Sequence, residues 1–135
     1  MRTPEEILRD ASTIAVVGAS RHPDKVAHSV PHQIMRYGWN VIPVNPSIDE
    51  LWGVRAYPTL ADVPVQVDLV NVFRPAADAP EIARQAVAIG AKAFWLQQDI
   101  VSAEARTIIE HAGIDYVEDQ CIAVVRAVHA LTRLG

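Results

Sequence analysis

Short, unbroken apolar runs rich in β-branched residues alternate along the chain with stretches whose apolar positions recur every three or four residues. The runs are TIAVV (13–17), NVIPV (40–44), VDLVNVF (67–73), KAFWLQ (92–97) and IDYVE (114–118). Continuity of this kind predicts strands covered on both faces rather than on one. The intervening periodic stretches predict helices within 27–37 and over 78–90, 102–113 and 121–134. A shorter helix opens the chain: Thr3 and Glu6 are spaced as a capping box, Pro4 takes the first helical position, and the helix runs to about Ala11.

Proline and glycine sharpen these boundaries. Pro31 predicts a second helix that starts close to it, because the ring is tolerated in the first turn, and Gly38 closes that helix. Pro43 lacks a ladder donor and predicts a strand end. VRAYP (54–58) reads as a short edge element, with Thr59 capping one helical turn, LADV. Pro80 and Gly90 bracket the third helix, and Ser102 and Gly113 the fourth.

Strand–helix alternation from Thr13 onward calls for crossover connections, which are right-handed and place helices on both faces of a parallel sheet. The expected fold is α/β and doubly wound. It is a mostly parallel sheet of five or six strands in a Rossmann-like three-layer sandwich, with strand order 3-2-1-4-5. No repeat or linker interrupts the chain, so residues 1–135 read as a single domain.

Composition narrows the function classes. Half the residues are hydrophobic and 21% are charged, which argues against global disorder. The net charge is −4 with no basic run, so nucleic-acid binding has little electrostatic support. One cysteine, Cys121, allows no internal disulfide and fits a reducing compartment. No apolar stretch is long enough for a membrane span, and the N-terminus carries charges where a signal peptide needs an apolar core. The expectation is a cytoplasmic protein without membrane or nucleic-acid partners.

Candidate chemistry concentrates after the first strand, in GASRHPDKVAH (18–28). At the carboxyl edge of such a sheet, Gly18 lets the backbone approach a ligand. Ser20 offers a hydroxyl and an amide, and the following helix directs N–H groups and partial positive charge to the same place. Arg21, His22, Lys25 and His28 crowd these residues in a net-acidic chain. Together they describe a diphosphate or multi-phosphate site; the alternative is a solvated loop with ordinary surface charge. The turn has one glycine, not G-x-G-x-x-G, and Asn45 stands where a nicotinamide site needs an acid. No P-loop sequence is present.

Other residues carry less. His28 and His32 are spaced for one helix face but lack a third metal ligand, and a solvated or phosphate-facing role is expected for them. Cys121 reads as a buried, inert thiol, Trp39 and Trp95 as core, and Trp52 as exposed at a contact with another subunit. Asp99, Glu118 and Asp119 fall near the carboxyl edge without a paired acid–base spacing.

VVGAS, the downstream Lys25, VIPVNP, AYPTLADVP, VDLVNVFR and IGAKAFWLQ, in this order, resemble the stand-alone coenzyme A-binding domain family. That family is related to the N-terminal domain of the succinyl-CoA synthetase α subunit. The resemblance implies a Rossmann-like domain holding coenzyme A or an acyl-CoA. Gly18, Ala19 and Ser20 would contact the diphosphate, with Arg21 and Lys25 neutralising its charge. Asn45, Pro46, Phe73 and Arg74 would flank the nucleotide, and Trp95 to Gln97 would lie near the pantetheine. The chain departs from the family at Val26-Ala27, where a Pro-Ser pair is usual, and at Gln120, where arginine is usual. The expected role is binding without evident catalysis, leaving a homo-oligomer or a partner enzyme open. An NAD(P)-dependent oxidoreductase and a regulatory module with a vestigial pocket are the alternatives.

Overall fold

A computed structural model describes residues 1–135. The apolar runs become β1 (Thr13–Val17), β2 (Asn40–Val44), β5 (Leu69–Val72), β6 (Ala93–Leu96) and β7 (Asp115–Val117). They form one parallel sheet in the order β2-β1-β5-β6-β7, so strand order reverses beside β1. The helices are α1 (Pro4–Asp10), α2 (Val26–Arg36), α3 (Ala79–Ala88), α4 (Ala103–His111) and α5 (Ile122–Val128). The fold is doubly wound α/β and Rossmann-like, with two cores.

Side-chain alternation along the strands explains the two layers. Ile14, Val16, Leu69, Ala93, Trp95 and Val117 face the layer of α1, α2 and α5. Ala15, Val70, Val72, Phe94, Leu96 and Tyr116 face α3 and α4. Neither face of the sheet meets water, which is why the strands read as unbroken apolar runs.

Four boundaries differ from expectation. Residues 54–58 do not supply a full strand beside β2. Val54–Arg55 (β4) instead pairs antiparallel with Glu50–Leu51 (β3), and only Tyr57 reaches the sheet, as a single parallel bridge to Val44. Pro43 lies inside β2 rather than at its end. Its carbonyl accepts from the Tyr57 N–H at 3.0 Å, so its missing donor faces the outer edge and costs no ladder bond to β1. Pro31 lies in the second turn of α2, beyond the expected first turn. Finally, α5 stops at Val128, well short of residue 134, because Ala130 turns left-handed at φ 52°.

Candidate functional site

The turn after β1 is built from mutual hydrogen bonds. Gly18 has φ +88° and donates to the Val44 carbonyl at 3.0 Å, extending the β1–β2 ladder by one step. A Cβ here would meet Arg74 Cδ at 3.0 Å and the Phe73 carbonyl carbon at 3.2 Å. The exits of β1 and β5 therefore pass so close that a side chain at Gly18 would push its neighbours back by a few tenths of an ångström. Ala19 is fully buried, and its carbonyl accepts the Asn45 Nδ2 amide at 2.8 Å. Asn45 Oδ1 accepts the Ser47 N–H at 2.7 Å, so one carboxamide joins the first turn to the second.

Ser20 is held on three sides. Its N–H donates to the Ala27 carbonyl at 3.1 Å, and its Oγ accepts the His22 N–H at 3.1 Å. Proline at 31 explains the first of these. Ala27 is its i−4 partner, and a ring without N–H leaves that carbonyl for the loop. The Ser20 carbonyl lies 2.7 Å from His28 Nδ1, and the Trp52 indole N–H donates to His28 Nε2 at 3.3 Å. An indole nitrogen only donates, so Nε2 accepts and Nδ1 carries the proton toward Ser20.

His32 stacks on Trp52, with ring centroids 6.1 Å apart. Burial first, then the charge of Arg36 and the neighbouring His28, hold its imidazole below the ordinary value. His28 and His32 thus pin Trp52 to the loop. Trp52 is half-buried in this cluster rather than exposed as expected. No group of three His, Cys, Asp or Glu side chains comes together to hold a metal.

Several donors remain. The amides of Ala19, Arg21, Val26 and Ala27 donate to no group within the chain. Val26 and Ala27 open an 11-residue helix whose N-cap, Lys25, gives no side-chain cap. The lysine side chain has donors only, so it cannot accept from these amides. Free amides at a helix start, carrying its partial positive charge, suit an anion. Arg21 and Lys25 are exposed and form no ion pair, so their charges add to that field.

Beside the loop lies a cleft of about 550 Å³ between the β1, β2 and β5 exits and α3. Of the residues singled out from the sequence, Gly18, Asn45, Pro46 and Arg74 line it. Ala19 and Ser20 form its supporting turn, with Arg21 and Lys25 on the exposed loop beyond. Phe73 packs partly into the core, and Gln97 is buried, its Oε1 accepting the Ile122 N–H at 3.3 Å to cap α5. Gln97 is thus turned away from the cleft.

Sequence reading missed Ser47, Thr59, Asp78, Glu81 and Gln85 on the cleft wall. The i, i+4 spacing of Arg74 and Asp78 was the available signal for one of them. Cys121 is half-exposed rather than buried and lines a separate cleft of about 440 Å³ with Asp99 and Asp119. Asp119 is engaged there, its Oδ1 accepting the Asp99 N–H at 2.7 Å.

Comparison with known proteins places this geometry among relatives. A family model described as a CoA binding domain matches residues 12–127. An uncharacterized protein of Bacillus subtilis (strain 168), YneT, is 40% identical over 124 residues, covering 92% of this chain and 92% of its own length. The solved structure of a hypothetical protein from Pyrococcus horikoshii OT3 has a TM-score of 0.89 and 32% identity, covering 94% of this chain and 92% of that one. An ADP-forming acetate–CoA ligase of Methanocaldococcus jannaschii is 26% identical over 80 residues, which make up 59% of this chain and 11% of the ligase. The chain thus spans a small part of that enzyme. No helix of the structure is long and apolar enough to cross a membrane.

Proposed function

The chain belongs to the CoA binding domain family, and from that premise we propose that residues 1–135 act as one domain holding coenzyme A, or an acyl-CoA, across the carboxyl edge of the sheet. In this reading the diphosphate sits on the turn at Gly18, Ala19 and Ser20. The amides of Arg21, Val26 and Ala27 donate to it, and Arg21 and Lys25 balance its charge. The nucleotide enters the cleft against Asn45, Pro46 and Arg74. Phe73 and Gln97 serve from behind, by fixing the β5 exit and the start of α5.

The observation that carries the reading is the set of unengaged amides beside two unpaired cations, on the loop that follows Gly18, itself part of the wall of a roomy cleft. Asn45 counts against NAD. The end of β2 holds a carboxamide already committed to Ala19 and Ser47, where ribose recognition needs a carboxylate. The proposed role is binding.

Calorimetric titration with CoA, acetyl-CoA and NAD tests it. The expected outcome is saturable binding of CoA or acetyl-CoA and none of NAD. Lys25→Ala and Arg74→Ala should each weaken CoA by about 1–3 kcal/mol, the range for losing a charged hydrogen bond. Tight NAD binding without CoA binding overturns the reading, and unchanged affinity in both variants removes the residue assignment.

A further inference from the structure

Arg74 is the one cation lining the cleft, and it is already engaged. Its Nε and Nη2 donate to Asp78 Oδ2 at 3.2 and 2.9 Å. Asp78 stands at the N-cap of α3, yet its carboxylate makes no capping bond and turns to Arg74 instead. The second carboxylate on the wall, Glu81, is held elsewhere, 3.4 Å from Arg84 and 3.5 Å from the Gln85 amide. Arg21 and Lys25 on the loop have no such partner. The cleft therefore contains an anion of its own, placed on the guanidinium that an incoming phosphate would use.

We propose that Asp78 is a specificity-determining residue that occupies Arg74 until a phosphate displaces it; this rests on the coenzyme A reading above. Both side chains are about half exposed, 53% for Arg74 and 45% for Asp78, so water screens the pair and parting it is cheap. A phosphate carries more charge than a carboxylate and offers three oxygens to the guanidinium fork. It takes Arg74 from Asp78. A singly charged carboxylate ligand meets a rival of equal strength and gains nothing. Asp78 thereby biases the cleft toward phosphate-bearing ligands and keeps their binding loose enough to reverse.

Asp78→Asn tests this, since asparagine keeps the shape and removes the charge, and no side-chain cap is lost with it. Calorimetry compares the wild type, Asp78→Asn, Arg74→Ala and the double variant, with CoA and with phosphate-free pantetheine as probes. Asp78→Asn should bind CoA roughly three- to tenfold more tightly, the effect of releasing one exposed pair and one repelling charge. Pantetheine binding should not change, and most of the gain should vanish in the Arg74→Ala background. If the wild type binds CoA but Asp78→Asn binds it no better, the inference fails while the coenzyme A reading stands. An equal gain with Arg74 absent also overturns it, because repulsion alone would then explain the effect. Absence of CoA binding in every form sinks the reading and the inference together.

Discussion

Gly18 combines a left-handed backbone with a neighbour at contact distance, and either alone would restrict its replacement. Gly18→Ala adds a conformational cost of about 1–2 kcal/mol and pushes the Arg74 stem off the turn. Chemical denaturation should show that loss, and CoA affinity should fall with it as Arg74 shifts; a variant as stable as the wild type contradicts the account. The need for glycine was legible, since a strand running into Gly-Ala-Ser announces a close turn. The neighbour was not, because Arg74 is 56 residues away in sequence and reaches Gly18 only through the β1–β5 pairing. His28 is a parallel case. It read as one more loop cation, whereas its ring is a strut between Ser20 and Trp52.

Helix starts were the most legible elements because their signals are local. The Thr3–Glu6 box, the Thr59 turn and the Ser102 cap all stand where spacing put them. The exceptions follow from contacts outside the element. Pro31 is tolerated in the second turn of α2 because the carbonyl it leaves unpaired finds the Ser20 N–H. The end of α5 escaped notice because no glycine marks it. Ala130 adopts the left-handed conformation, the Leu131 N–H donates to the Arg126 carbonyl at 2.9 Å, and the chain then docks on Tyr37 through Arg133. That is a Schellman ending on an alanine. Ala130→Gly should relieve the strain and raise stability by about 1 kcal/mol, read as a higher denaturation midpoint at unchanged slope. A lower midpoint would show that the strain is negligible beside the entropy glycine adds to the unfolded chain.

Across the whole molecule the two edges of the sheet do different work. The carboxyl edge carries the cleft, and the amino edge is fastened by Asp68. Its Oδ2 accepts from the Ser12 and Thr13 amides at 3.1 and 2.9 Å and from the Ser12 hydroxyl at 3.0 Å. Lys92 lies 3.6 Å from its other oxygen. Burial pushes this carboxyl up, but the Thr13 and Ser12 bonds and Lys92 together outweigh it and hold it below the usual carboxylate range. A folded-state value below the unfolded one stabilises above the unfolded value and is lost as pH falls through the folded one. Asp68→Asn should therefore cost about 1–2 kcal/mol at pH 7, and the gap to wild type should close in acid below the ordinary aspartate range. CoA affinity at pH 7 should not change, because Asp68 lies at the opposite end of the strands. A gap that persists undiminished at pH 3 would assign the loss to packing rather than to charge. From the amino-acid order alone came the succession of elements, the doubly wound class and the expectation of a phosphate site at the first turn. Apolar periodicity, caps and proline or glycine positions are short-range properties of a chain, which is why they could be read there. Folding settled which amides stay free, which cation is already paired, and that the third strand shrinks to one bridge. Those outcomes depend on ångström-scale distances between segments remote in sequence, and only packing sets such distances.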